Sequence, residues 1–216
     1  KVATLALGYQ GGVKAMRAMD SGHELDSLSD EEVQELVNLW RGANPNIVKL
    51  WGIMEAAAKA AVTEGRTSFL PHGVVVSRSI DTNSGLDFLI LQLPSGRSLY
   101  YPEPAITQNR FGGPSVSYMG QNQTTKKWER IETYGGKLAE NLTQAVARDC
   151  LADAITRLEE AGFPVVFHIH DEIVVDVSPE KQDLAEMKRL MAAVPKWAEG
   201  LPLKAEGWSN EFFKKD

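Results

Sequence analysis

One cysteine in 216 residues, Cys150, leaves no internal disulfide to form and fits a reducing compartment such as the cytosol. Cys150 falls in a helical apolar pattern and is expected to be a small core residue. Histidine is scarce as well. Of four, only His168 and His170 stand close together, while His23 and His72 are far away in sequence. No apolar run approaches the roughly 20 residues that cross a bilayer, which argues against a helical membrane protein. No leader-type segment follows Lys1, whose neighbours are Val2, Ala3 and Thr4. An excess of basic residues is missing too. Twenty-three Lys and Arg against 29 Asp and Glu give a net charge of −6, which argues against a bulk electrostatic grip on nucleic acid. The imbalance is uneven, because residues 20–35 hold seven acids and no Lys or Arg, whereas Lys126, Lys127, Arg130, Lys137 and Arg148 form a later basic run. Internal repeats and low-complexity tracts are absent.

What remains is the composition of an ordinary soluble protein, 43% hydrophobic and 24% charged, with enough chain for one large domain or two small ones. Its texture changes along the chain. Residues 1–7 read as helix without a start signal, and Gly8, Gly11 and Gly12 then loosen it at about 1 kcal/mol per glycine. Ser29 and Glu32 form a capping box ahead of a helix with Val33, Leu36, Val37 and Trp40 on one face. Asn44-Pro45 opens another helix, ending near Gly65, and Trp40 and Trp51 are expected to join the two as core residues. From Gly73 onward β-prone runs appear: Val74–Val76, Phe88–Leu91, and Ser98–Tyr101 after a Pro94-Ser95-Gly96 turn. Residues 107–125, rich in Gly, Ser, Asn and Gln, read as a long exposed loop. A helix follows from about Gly136 to Glu160, stopped by Gly162 and Pro164. Then come strand, corner and strand across 165–177, a helix opened by Ser178-Pro179, and a β-prone stretch over 201–205. The expected fold class is α+β.

The corner holds the chemistry. His170-Asp171-Glu172 between apolar strands presents two adjacent carboxylates at a fixed bend. Hard oxygen ligands of this kind suit Mg²⁺, which is commonly held by one or two carboxylates plus substrate phosphates. Two other readings of the corner stand beside it. A polar turn uses Asp for its geometry alone. A metal-dependent phosphoesterase would use His168, His170 and Asp171, given two imidazoles at i, i+2 on one strand face, but Zn²⁺ needs at least three protein ligands. At the start of the chain, Lys1, Leu5 and Tyr9 are spaced four apart on one helix stripe, suited to phosphate, sugar and base or simply to packing.

Four stretches, in order, resemble the polymerase segment of family A DNA polymerases, in the form found in bacteriophages. Lys1-(x)3-Leu5-(x)2-Gly8-Tyr9-Gln10-Gly11-Gly12 resembles the nucleotide-binding fingers helix. Gly96-Arg97-Ser98-Leu99-Tyr100-Tyr101-Pro102 is similar to the turn between fingers and palm. Glu140-Asn141-Leu142-Thr143-Gln144-Ala145-Val146-Ala147-Arg148-Asp149 resembles the palm helix before the catalytic hairpin, and His170-Asp171-Glu172 that hairpin itself. The resemblance implies helical fingers over 1–85, with their first helix truncated, and the C-terminal half of a palm with its connecting hairpin over 86–216. It implies template-directed joining of a dNTP to a primer 3′-hydroxyl with two Mg²⁺ ions, in a host-cell cytoplasm. Lys1, Leu5 and Tyr9 would contact the nucleotide, with Leu5 standing where the family usually has Phe or Tyr against the sugar. Gln144, Arg148 and His170 would contact primer–template DNA. Asp171 would be catalytic and bind metal, with Glu172 in support. The family's other metal-binding Asp lies upstream of the fingers helix, so the resemblance also implies an N-terminal polymerase segment or split-subunit partner, without which the chain is expected to be inactive. A DNA-binding remnant without catalysis is the other class of outcome.

Overall fold

The computed structural model describes residues 2–109 and 111–213. The chain is α+β, with six α-helices among the described residues and three separate antiparallel sheets. It packs as two compact units, one up to Thr143 and one from Gln144 onward.

The first unit opens with α1 (Val2–Leu7) and α2 (Val13–Met19), then α3 (Asp30–Ala43) and α4 (Pro45–Glu64). α3 starts where its local signal lies: the Ser29 hydroxyl accepts from the Glu32 N–H, and the Glu32 carboxylate accepts from the Ser29 N–H. Its inward face is narrower than the spacing suggests. Val33 and Val37 are fully buried, but Leu36 is left largely exposed. α4 begins with Pro45 at its first turn and ends at Gly65, whose φ of +64 places it in the left-handed region that closes helices. Ala6, Leu7 and Met16 join Val33 and Val37 in one apolar cluster.

β1 (Ser68–Phe69), β2 (Val75–Ile80), β3 (Asp87–Gln92) and β4 (Ser98–Pro102) form a sheet in that order. Strand alternation sends Val76, Leu89, Leu91 and Tyr101 to one face. There they meet Met54 and Ala58 of α4 and Leu138 around a small apolar gap. Each such burial contributes roughly 1.5–3 kcal/mol relative to exposure.

Residues 107–125 are not a long loop. β5 (Ala105–Gln108), β6 (Pro114–Gln121) and β7 (Trp128–Thr133) form a second sheet, with Asn109 bonded to Gly112 and Gly113 between β5 and β6 and a tight turn over 122–127 between β6 and β7. The polar residues of β6 are tolerated inside because each finds a partner. The Ser115 hydroxyl donates to the Thr133 carbonyl, the Ser117 hydroxyl to the Ala105 carbonyl, and Val116 between them is buried.

α5 (Gly135–Glu160) begins in the first unit and runs on into the second. It stops at Gly162 (φ +85), as its sequence signal demands. β8 (Val165–Ile169) and β9 (Glu172–Val175) make a hairpin, followed by α6 (Leu184–Met191). α6 starts later than Ser178-Pro179. That pair opens only a single 3₁₀ turn, Gln182 is extended, and the Asp183 carboxylate caps α6 by accepting from the Glu186 N–H. Residues 201–205 form no strand.

Arg157 fastens the end of α6 to α5. Its guanidinium donates to the carbonyls of Leu190 (3.0 Å) and Ala193 (2.9 Å) while also bonding Asp153 (3.2 Å). Arg157→Ala leaves those carbonyls without this donor, a loss of about 1–3 kcal/mol. Amide exchange across Leu184–Met191 is therefore expected to speed by about tenfold or more, and unchanged exchange would show that the arginine is dispensable.

Candidate active site

The β8–β9 corner is a two-residue hairpin. Ile169 pairs with Glu172, leaving His170 and Asp171 as the turn. His170 takes the left-handed conformation (φ +52), which reverses the chain and costs a non-glycine residue of order 1–2 kcal/mol. Asp171 and His170 are exposed at the tip, and Glu172 is half-buried. Among the described residues, no side-chain hydrogen bond or ion pair engages His168, His170, Asp171 or Glu172. The two carboxylates are not used up in holding the turn together.

The hairpin's placement comes from Ile173, buried with Leu151, Ala154 and Leu158 of α5 and with Phe163, while Val165, Val175 and Val177 pack around them. The Glu159 carboxylate accepts from the Val165 N–H at 2.6 Å and fixes where β8 begins. A bulge at Val166 turns that side chain outward, and Phe167 meets Phe213 edge-to-face at 5.2 Å. The bulge and the turn also remove the premise of a His168/His170 pair, since His170 lies in the turn and not on the strand. Among the described residues, no three His, Cys, Asp or Glu side chains gather in a metal-holding group.

Gln144 and Arg148 are one turn apart on α5, both exposed, in the same unit as the corner. Behind them Cys150 is buried. Burial, then the neighbouring Asp149 and Asp153 carboxylates, push its thiol upward, so it stays protonated and inert at neutral pH.

The nucleotide candidates lie in the first unit. Lys1 is outside the described residues. Leu5 is half exposed while Ala6 and Leu7 are buried, so α1 turns Leu5 away from its own packing face. Tyr9 is half-buried in the glycine-rich stretch after α1, and that stretch is held from three sides. The Trp51 indole donates to the Gly8 carbonyl (2.9 Å) and the Arg41 guanidinium to the Gly11 carbonyl (3.0 Å). Trp40 stacks on Trp51, with ring centroids 6.5 Å apart. From the start of α5, the Gly136 N–H donates to the Gln10 side-chain carbonyl at 2.9 Å. The contact is so close that a Cβ on Gly136 would lie 2.5 Å from the Tyr9 carbonyl oxygen, and one on Gly135 would lie 1.9 Å from that of Trp51.

The turn after β3 joins the same helix. Gly96 (φ +88) closes it, and Tyr101 on β4 is buried with its hydroxyl accepting from the Asn141 amide at 2.9 Å. Burial pushes the Tyr101 phenol up to about 12, so it remains neutral. Within the first unit, the first turn of α5 meets Gln10 and its second turn, through Asn141, meets Tyr101. Sequence reasoning missed Gln10, Tyr101, Gly135, Gly136 and Asn141 as joints. The only available signal was the Gly-Gly opening of an otherwise well-formed helix.

The exposed Asp171 and the half-buried Glu172 beside it have no side-chain partner among the described residues, and they could serve as half of a magnesium site, since that ion is commonly held by one or two carboxylates with substrate phosphates.

No protein-family model and no solved structure matches the chain. It is 46% identical over 220 aligned positions to a DNA polymerase of Bacillus phage SP02, a similarity that covers all of this chain and 32% of that polymerase's length. Along its whole length, the chain is similar to about a third of a phage DNA polymerase.

Proposed function

We propose that the chain acts in template-directed DNA synthesis, as the fingers and the C-terminal half of the palm of a family A DNA polymerase. The observation that carries this is the full-length 46% identity to a DNA polymerase. An exposed Asp171 at a hairpin turn, with Glu172 next to it on β9 and the hairpin packed on α5 through Ile173, supports it. Residues 1–85 serve as fingers and 86–216 as palm with its connecting hairpin. Lys1 neutralises the triphosphate, Leu5 lies against the sugar, and Tyr9 stacks beside the new base pair. Gln144 and Arg148 hold the primer–template, and His170 meets the primer terminus. Asp171 binds magnesium, with Glu172 beside it. When bound, the ions supply acidification of the primer 3′-hydroxyl and neutralisation of charge on the leaving pyrophosphate. A second carboxylate is required for that, and an N-terminal polymerase segment or subunit is its source.

The test is primer extension on a defined primer–template by the chain alone, the N-terminal segment alone, and both together with Mg²⁺. Synthesis is expected only from the pair. Phosphoester hydrolysis by the chain alone would favour a phosphoesterase, and DNA binding without extension by the pair a non-catalytic remnant. Within the active pair, Tyr9→Ala is expected to raise KM for dNTP by about tenfold, the scale of one lost aromatic stack. A large fall in thermal stability with unchanged KM would make Tyr9 structural only.

A further inference from the structure

The later basic run is split by the fold, and one part of it is presented in a way the site above does not use. At the free end of the β6–β7 hairpin stand Lys126, Lys127 and Trp128, all exposed, with the indole 64% accessible. Trp128 has no ring partner among the described residues, and neither lysine has an ion pair there. The turn that carries the lysines is locked. The Asn122 side-chain carbonyl accepts from the Thr124 and Thr125 N–H groups (2.8 and 3.2 Å), its backbone carbonyl accepts from the Lys126 N–H, and its N–H donates to the Lys127 carbonyl. Trp128 pairs with Gln121, and strand alternation puts Met119 and Arg130 on its face while Glu129 goes to the other. The Glu129 carboxylate is engaged there by Asn122 and Thr125.

We propose that this hairpin tip is a further nucleic-acid contact, where one base of a single DNA strand stacks on the Trp128 indole and Lys126 and Lys127 take the adjacent phosphates. The proposal rests on the polymerase reading for its choice of DNA. An aromatic face flanked by unpaired cations is the pattern that single strands recognise, because every base has a stacking face and every link a phosphate. The charge sign favours this occupant. In a chain of net charge −6, these lysines are left uncompensated beside an exposed indole, whereas an apolar protein partner would meet two charges and a glutamine around one ring. The hydrogen-bonded turn fixes the backbone that carries these groups before binding, which lowers the ordering cost.

The test uses the complete polymerase and a fluorescent oligo(dT), with binding followed by anisotropy between about 50 and 200 mM salt. Trp128→Ala is expected to weaken binding about tenfold, with Trp128→Phe retaining most of the affinity. The double change Lys126→Gln/Lys127→Gln is expected to reduce the salt slope by about 1.4, at roughly 0.7 per single-strand phosphate contact. Wild-type affinity and slope in all three variants would overturn the proposal. So would equal losses for Trp128→Ala and Trp128→Phe with the lysine pair neutral, the pattern of a packing or protein-docking role. If extension persists and still depends on Asp171 while the tip variants bind normally, only the tip assignment fails. If the wild type neither binds nor extends, the polymerase reading fails with it.

Discussion

Asp171→Ala is expected to lower primer extension by roughly a thousandfold or more while leaving stability almost unchanged. The two effects separate because of where Asp171 sits. It is exposed at a two-residue turn, makes no side-chain hydrogen bond among the described residues, and leaves the left-handed position to His170. An alanine there removes nothing that holds the hairpin, whose anchor is Ile173 buried against α5. Surface changes of that kind stay within about 0.5 kcal/mol. The catalytic loss is set by a different quantity. On the proposed reading Asp171 would hold magnesium, and losing that ligand would forfeit several kcal/mol, at about 1.36 kcal/mol per decade of rate. Glu172→Gln is expected to cost less. Extension by the Asp171→Ala protein at near wild-type rate, with an unchanged unfolding midpoint, would remove Asp171 from the chemistry altogether.

Gly135→Ala should destabilise the first unit by about 3 kcal/mol, against the trend for helices. Glycine to alanine inside a helix normally gains up to about 1 kcal/mol. Gly52 in α4 has nothing within 4 Å of an added Cβ, so Gly52→Ala should show that gain. At Gly135 the added carbon would lie 1.9 Å from the Trp51 carbonyl oxygen and 2.7 Å from its carbonyl carbon, and backbone cannot swing aside as a flexible side chain can. α5 and α4 must part, at an overpacking cost at the upper end of about 1–3 kcal/mol that exceeds the propensity gain. Gly136→Ala should act similarly, displacing Tyr9 and Gln10 directly. Chemical denaturation of the variants measures the contrast. Stabilisation at Gly135 and Gly52 alike would mean that α5 does not approach α4 so closely.

Features written in neighbouring residues were legible in the sequence. The Ser29–Glu32 box, the Gly65 and Gly162 stops and the His170-Asp171 turn each depend on contacts a few residues apart. β6 was not legible, because its Ser, Gly and Gln content reads as loop unless Thr133 and Ala105 are known to accept from its serines. α6 began late because Pro179 suits a 3₁₀ turn as well as an α-helix. For the candidate site, the corner was legible as a turn, but the Leu5–Tyr9 helix stripe is not formed, because α1 ends at Leu7 and Tyr9 lies in the turn after it. The joints to α5 were not legible, since Gln10 meets Gly136 across 126 residues and Tyr101 meets Asn141 across 40. No spacing rule reaches that far. The outward turn of Leu5 likewise needed the neighbouring helices to claim Ala6 and Leu7.

The central claim is template-directed synthesis, and single-nucleotide incorporation tests it most directly. The complete polymerase is given a primer–template with one unpaired template base, each dNTP in turn, and Mg²⁺, and the experiment is repeated with the template base changed. The expected result is that the nucleotide joined follows the template base each time and that Asp171→Ala joins none. Incorporation that ignores the template, or that survives Asp171→Ala undiminished, would contradict it.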